Sequence, residues 1–286
     1  YFKKIWEHGY LRLSDSYDTI PIKEIHLITA TPSRFFWNKL KEAGVPEIYN
    51  LRKLFKDTFE DDYENYRKIT DHVIHFVRDN NSSDEGSIIY AERILRHIQS
   101  EPGVKTIFAP AGLKKKTHIS MKNMALKYGY VVLLINGDDK SFSHIPNSYY
   151  SGSLTLYKFN KRYGLNYRDD KGNFHSCELR DSLRKFRQLF PNIDLLITGM
   201  TCIERGVTFN SNGINFTHAI YSNSLLDGIF GNEGNIVQFL GRCNGHKRYV
   251  DKLKIYIDRE TYNKAHREMN ELLKIQKSNE ISFCIR

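Results

Sequence analysis

Short runs of consecutive apolar residues alternate along the chain with longer segments in which apolar residues recur at helical spacing. The first pattern predicts strands covered on both faces, and the second predicts helices with one buried side. The alternation is most regular after Val104. Strands are predicted at 24–29, 72–77, 105–110, 130–135, 193–198, 216–221 and 253–258, and helices at 33–43, 88–100, 117–128, 178–189, 235–240 and 259–275. This order predicts an α/β fold with a parallel sheet flanked by helices.

Two stretches depart from this order. Residues 50–70 are rich in charged and aromatic side chains, so we place a domain boundary near residue 71 and expect 1–70 and 71–286 to be distinct parts. Residues 138–176 interrupt the alternation, because 153–167 alternates only loosely and the polar run 168–173 has the composition of a turn. We therefore predict an inserted β-hairpin at about 138–176.

The composition is that of a folded globular protein. The 286 residues are 40% apolar and 27% charged, which is enough to bury a core and too apolar for a disordered chain. No run of about 18 apolar residues and no signal sequence is present, so we expect an intracellular protein, in cytoplasm or nucleus, that neither spans a membrane nor is secreted. The four cysteines lie far apart without a C-x-x-C pair, which predicts no metal site.

The net charge of +10 favours a polyanionic partner such as nucleic acid, although a solvated basic surface explains it equally well. Three segments add candidate chemistry. The first, Thr29–Pro32, puts two hydroxyls at the end of a predicted strand, where they contact a phosphate or only complete a turn.

The second segment, Asp194–Phe209, follows a buried strand to its carboxyl end, which is the edge where α/β sheets bind ligands. Gly199 and Gly206 would let backbone N–H groups approach a phosphate, or they serve turns only. The third segment, Gln238–Arg248, holds Arg242 directly after a glycine. A guanidinium there offers a planar, permanently charged fork to a phosphate, and a basic surface turn is the alternative.

Taken in order, these segments resemble the second half of a superfamily 2 helicase, over roughly residues 20–260. The matches are Thr29–Pro32 to motif III, Lys105–Pro110 to motif IV, Leu133–Asp138 to the strand that ends in H-G-D, Asp194–Phe209 to motif V and Gln238–Arg242 to the Q-x-x-G-R of motif VI. The resemblance implies a second RecA-like domain at 71–286 with the insertion. It also implies that 1–70 holds the end of a first RecA-like domain and a linker.

In this family two RecA-like domains bind ATP between them and nucleic acid across their tops, so the resemblance implies roles for single residues. The implied catalytic residues are Arg242 and Gln238. The positions implied to bind ATP are Arg205, Gly206, Thr208 and Arg248. The positions implied to contact phosphates of DNA or RNA are Ala109, Pro110, Gly112, Thr198 and Thr201, and those implied to couple the two sites are Thr29 and Thr31.

The chain departs from the family at two points. Gly245 stands where many members have a second motif VI arginine, which leaves that role to Arg242, Lys247 or Arg248. No G-x-x-x-x-G-K-S/T occurs, and no D-E-x-D/H precedes Thr29. We therefore expect the chain to be part of a longer polypeptide whose first domain supplies most of the Mg²⁺ site.

The implied function is the C-terminal part of an ATP-dependent helicase or translocase in replication, recombination or transcription, with a non-catalytic nucleic-acid-binding module as the alternative. Segments 131–134, 201–209, 238–242 and 254–258 most resemble viral replicative helicases of the herpesvirus origin-binding type. A third interpretation takes Gly112–Thr117 as a degenerate phosphate loop of a nucleoside kinase, but the second glycine is missing. The lysines at 114–116 are more simply a basic patch at a helix start.

Overall fold

The computed structural model of the protein describes residues 10–12, 19–21, 69–80, 85–112, 114–136, 140–146, 152–168, 172, 174–175, 177–199, 215–225 and 251–277. The chain divides into two compact units, Tyr1–Asp61 with Arg267–Arg286, and Asp62–His266. In the first unit, the described residues include a small antiparallel sheet of β1 (Tyr10–Arg12) and β2 (Thr19–Pro21). The strand predicted at 24–29 and the helices predicted at 33–43 and 235–240 lie outside the described residues.

The second unit is built on one large sheet with helices on both faces. Its elements in chain order are β3 (Val73–Phe76), α1 (Gly86–Ile98), β4 (Thr106–Phe108), α2 (Lys115–Lys127), β5 (Val131–Ile135), β6 (Lys140–Ser143), β7 (Ser153–Thr155), α3 (Leu156–Arg162), β8 (Tyr167–Arg168), β9 (Phe174–His175), α4 (Leu179–Leu189), β10 (Leu195–Gly199), β11 (His218–Tyr221), β12 (Lys254–Ile257) and α5 (Arg259–Lys277), which continues past the end of this unit. Short 3₁₀ turns lie at Ile69–Asp71 and Asn223–Leu225.

Eight strands form the sheet in the order β3-β12-β11-β4-β10-β5-β6-β7. The six strands from β3 to β5 in this order are parallel to one another, and β6 and β7 add an antiparallel edge. Strands β4, β5, β10 and β11 are buried along their whole length, as their continuous apolar runs predict. The predicted α/β class, with a mainly parallel sheet flanked by helices, is confirmed.

Helices α1 and α2 cover one face of the sheet. Their apolar sides pack in one cluster with sheet residues that include Ile107, Val132 and Leu196. Gly129 lies just after the C-terminus of α2, and its φ of 81° is the left-handed conformation that favours glycine there. Phe142 lies on the other face. Val132 belongs to the cluster under α1 and α2, successive side chains point to opposite faces, and Phe142 pairs with the next residue, Leu133.

The predicted insertion is antiparallel, but its first half differs from the prediction. The hairpin around 168–173 is present as β8 and β9, with Tyr167 opposite His175. Residues 153–167, predicted as a strand, instead form β7 and then α3. The reason is local: Thr155 Oγ1 accepts a hydrogen bond from Lys158 N at 3.3 Å and caps the helix, and Phe159 is then buried against Phe142.

Candidate functional site

Three neighbouring parallel strands end at one edge of the sheet, and two of the predicted motif segments lie at the ends of two of them. Strand β4 leads into Ala109–Gly112, and β10 ends at Gly199, directly before the rest of the second segment. Strand β11 ends at Tyr221 and precedes the segment that contains Arg242 along the chain. Their order in the sheet is β11-β4-β10, and parallel neighbours lie about 4.8 Å apart. The topology therefore brings together, at the carboxyl edge, the points where the chain leaves these three strands.

The loop after β4 stays attached to β10. Ala109 N donates to Ile197 O at 3.0 Å, and Ala111 N donates to Gly199 O at 3.1 Å. Residues 109–112 are buried, whereas 114–116, which follow at the start of α2, are exposed. A ligand that approaches this loop from solvent therefore meets the three lysines at 114–116 before it meets the backbone of the loop.

The first turn of α2 is fixed to Gly112. Thr117 Oγ1 lies 3.0 Å from Gly112 O and 2.7 Å from Lys114 O, and His118 Nε2 donates to Gly112 O at 2.8 Å. Burial lowers the pKa of His118, against the opposing effect of that hydrogen bond, so the ring is neutral at neutral pH. Because the Thr117 hydroxyl is engaged with backbone carbonyls, it differs from a phosphate-loop hydroxyl, which binds a metal ion.

Thr198 lies one residue before the end of β10. Its side chain is fully buried, and within the described part of the chain its Oγ1 has no hydrogen-bond partner. Gly199, which follows it, has a φ of 148°, a conformation that side chains rarely adopt. The chain can therefore change direction directly after the strand. Thr198 itself is not exposed to solvent.

A buried polar cluster, not predicted from the sequence, joins the ends of β3, β11 and β12 at the same edge. Asp79 Oδ2 accepts hydrogen bonds from Ser222 Oγ at 2.7 Å and from Asn223 N at 2.9 Å, and Asn223 Nδ2 donates back to Asp79 O at 3.0 Å. Asp79 N donates to Asp258 Oδ2 at 3.1 Å. The cluster thus fixes the direction in which the chain leaves β11. The only sequence signal is an aspartate directly before a helix, at Asp258.

A second polar cluster lies at the opposite, amino edge of the sheet. Glu101 accepts hydrogen bonds from Lys254 Nζ, from His218 Nε2 at 3.3 Å and from Tyr256 Oη at 3.2 Å. Burial alone would raise the pKa of Glu101, but the hydrogen bonds from Lys254 and His218 outweigh it and lower the pKa to about 2. Burial also lowers the pKa of His218, against its hydrogen bond to Glu101. Lys254 and His218 both act to keep the Glu101 carboxylate ionised.

The remaining predicted site residues lie outside the described part of the chain. They are the coupling residues Thr29 and Thr31, the motif V residues Thr201, Arg205, Gly206 and Thr208, and the motif VI residues Gln238, Arg242 and Arg248. Their roles therefore stay predictions. Among the described residues there is no group of three or more His, Cys, Asp or Glu side chains that could hold a metal ion. No helix in the described ranges has both the length and the apolar character needed to cross a membrane.

Comparison with known proteins gives a likeness to solved structures and no match in sequence. No protein-family model matches the chain, and no curated protein sequence matches it. The crystal structure of a DEAD box protein from the hyperthermophile Methanococcus jannaschii aligns with it at 15% identity and a TM-score of 0.37, over 73% of this chain. The chain spans 40% of the length of that protein. The α/β fold described above stands on the sheet topology itself.

Proposed function

We propose that this chain is the second RecA-like domain of an ATP-dependent helicase or translocase that acts on DNA or RNA in replication, recombination or transcription, and that it belongs to the viral replicative type. One observation supports this proposal above the others. Strands β11, β4 and β10 are adjacent and parallel, the segments that resemble motifs IV and V lie at the carboxyl ends of β4 and β10, and β11 precedes the segment that resembles motif VI along the chain. The motif order along the chain and the strand order in the sheet are therefore compatible with one shared ligand-binding edge.

In this proposal the chemistry is divided between two domains of one polypeptide. A first RecA-like domain supplies the phosphate loop and the carboxylates that hold Mg²⁺. This chain contributes Arg242 and Gln238 to the phosphates of ATP, with Arg205, Gly206, Thr208 and Arg248 nearby. Thr29 and Thr31 couple the ATP site to the nucleic acid.

The nucleic-acid backbone is bound at the carboxyl edge, around Ala109, Pro110, Gly112, Thr198 and Thr201. Because residues 109–112 and Thr198 are buried, the exposed lysines at 114–116 make the first contacts with phosphates on this side. Contacts of this kind position a strand without reading its sequence. We therefore expect weak binding without strong sequence preference.

Salt dependence of binding tests this proposal on the chain itself. Affinity for oligothymidylate and oligouridylate of 24 nucleotides, measured by fluorescence anisotropy, should fall linearly in a plot of log affinity against log salt. The expected slope is about −0.7 for each phosphate contact on a single strand. Absent or salt-insensitive binding would contradict the proposal.

Hydrolysis is the second readout of the same test. The chain contains no phosphate loop with its lysine, so we expect it to hydrolyse no ATP by itself. Turnover by the chain alone at a rate typical of helicases would place the active site elsewhere.

The alternative function, a nucleic-acid-binding module without catalysis, is favoured by Gly245, which stands where many helicases have an arginine. It predicts the same binding and no ATP turnover in any polypeptide that contains the chain.

A further inference from the structure

Helices α1 and α2 form one continuous layer over the sheet. Their buried sides share a single apolar cluster, and Tyr128, just after α2, joins the two helices. Its hydroxyl donates to Glu92 Oε1 at 2.9 Å and accepts from Arg96 Nε at 2.6 Å. Each helix follows one parallel strand and precedes another, so both run from the carboxyl edge toward the amino edge. Their outward sides therefore form one surface that starts at the candidate site.

This surface, which we call the α1–α2 face, is strongly basic. The two helices have 13 residues each and contain one glutamate and six basic residues, Arg93, Arg96, Lys115, Lys116, Lys122 and Lys127. Their net charge of +5 is half of the net charge of the whole chain. The one glutamate, Glu92, already accepts hydrogen bonds from Arg96 and Tyr128. Glu92 also interacts with the charge of Lys127, so one acidic side chain of these helices stands against six basic ones.

The lysines follow the axis of α2 away from the carboxyl edge. Lys116 and Lys127 are exposed and eleven positions apart, which corresponds to about 16 Å along a helix, and Lys122 lies between them. Helix α4, on the other face of the sheet, is different. There Arg180 pairs with Glu178 at 2.7 Å and Arg184 with Asp181 at 3.3 Å, so acidic neighbours offset two of its basic residues.

We propose that the α1–α2 face is a second binding surface for the phosphate backbone of nucleic acid, continuous with the carboxyl edge and extending down the side of the domain. The inference rests on the proposed function, because it continues the same strand from the edge onto the helices. Charge complementarity selects the ligand: six cations with one acidic residue among them fit a polyanion with regular spacing. The exposed Ile89 and Ile119, on the same helices, offer apolar contact to sugars.

A matched pair of double variants tests the inference. Lys122→Gln with Lys127→Gln removes two charges from the α1–α2 face, and Lys161→Gln with Lys185→Gln removes two from α3 and α4 on the opposite face. For the 24-nucleotide strands, the first variant should show a log–log salt slope smaller in magnitude by about 1.4, since each lost phosphate contact is worth about 0.7. The control should retain the slope of the unmodified chain. Far-UV circular dichroism and thermal unfolding establish that both variants are folded.

Acetylation of lysines with and without the oligonucleotide, followed by mass spectrometry, gives a readout on the unmodified chain. We expect protection of Lys122 and Lys127 and no protection of Lys161 and Lys185. Equal slopes in the two double variants, or equal protection of the two lysine pairs, would overturn the inference and leave the proposed function intact. That result is the one expected if the face serves an acidic protein instead. Failure of the unmodified chain to bind either strand would remove the proposed function and this inference together.

Discussion

At the scale of single residues, the Glu101 cluster shows how one ionised side chain joins three distant segments. Its carboxylate contacts Lys254, His218 and Tyr256, more than 100 positions away in sequence, and its side chain is only 21% exposed. Since its pKa of about 2 lies below the ordinary 4.5, Glu101 stabilises the fold fully above pH 4.5. That stabilisation is lost as the pH falls from 4.5 toward 2.

Lys254→Met should raise the pKa of Glu101. Burial raises this pKa, and without Lys254 mainly the hydrogen bond from His218 would still lower it. Carbon chemical shifts of the Glu101 carboxyl, followed by NMR as the pH is lowered, measure this directly. The acid-dependent part of the unfolding free energy that Glu101 supplies should shrink accordingly. Lys252→Met is the control, since Lys252 is exposed on the same approach to β12 and should leave the titration unchanged. An unchanged pKa in Lys254→Met would show that Lys254 does not hold the carboxylate ionised.

Charge reversal of the lysines at the two ends of α2 should change stability in opposite directions and binding in the same direction. Lys116 lies in the first turn, where the helix dipole disfavours a cation, and Lys127 lies in the last turn, where it favours one. Lys116→Glu should therefore raise the unfolding free energy, and Lys127→Glu should lower it, each by on the order of 0.5–1 kcal/mol. Both should weaken nucleic-acid binding.

Urea denaturation and anisotropy measurements on the same preparations check the two effects. A stability change of the same sign at both ends would rule out the dipole argument. Unchanged binding in both variants would argue against the α1–α2 face. A stabilised Lys116→Glu variant that binds less tightly would mean that the lysine is unfavourable for the fold and favourable for the ligand.

At the scale of secondary-structure elements, Phe186 packs helix α4 against the inserted segment at about 138–176. Its ring on α4 stacks on Phe142 of β6 at 4.9 Å, and Phe142 in turn contacts Phe159 of α3 at 4.8 Å. All three side chains are fully buried. Phe186→Ala should therefore lower the unfolding free energy by about 3–5 kcal/mol, measured by urea denaturation. Leu189→Ala on the same helix, where the side chain is 37% exposed, should cost about 1 kcal/mol or less.

The sequence predicts best those elements whose pattern is set by burial on both faces. Val131–Ile135 is such a run, and the strand lies where the pattern puts it. Residues 153–167 could not be predicted in the same way, because a three-residue strand passes into a seven-residue helix and neither is long enough to show its period. The cap at Thr155 and the packing of Phe159 decide the outcome there, and the second of these depends on partners elsewhere in the chain.

The same limit applies to the candidate site. The ends of β4, β10 and β11 are predicted from the sequence, and so is their shared edge once the sheet is parallel. The hydrogen bond from Ser222 to Asp79 joins residues 143 positions apart, so no local sequence pattern predicts it. Nor does the sequence show that residues 109–112 are buried, since this loop is attached to β10 by backbone hydrogen bonds.

At the scale of the whole molecule, the two edges of the sheet have different roles. The amino edge is held by the Glu101 cluster. The chain leaves β4, β10 and β11 at the carboxyl edge. Asp79 binds Ser222 and Asn223, directly after β11, at this edge. Since ligands of open parallel sheets bind at the carboxyl edge, stabilising contacts at the other edge can change without disturbing the site. The helicase proposal therefore depends on what the segment after β11 supplies.

Arg242 is the residue by which that segment is tested. In a polypeptide that joins this chain to a first RecA-like domain, Arg242→Ala should reduce nucleic-acid-stimulated ATP hydrolysis by on the order of 10³-fold, because an arginine that stabilises the transferring phosphoryl group acts mainly in the transition state. Affinity for the 24-nucleotide strands should change little. Arg248→Ala is the matched variant, since Gly245 leaves open which arginine reaches the phosphates. Loss in Arg248→Ala alone would move the role to Arg248, undiminished turnover in both would reject a motif VI arginine, and a polypeptide that binds strands without any turnover would favour the non-catalytic module.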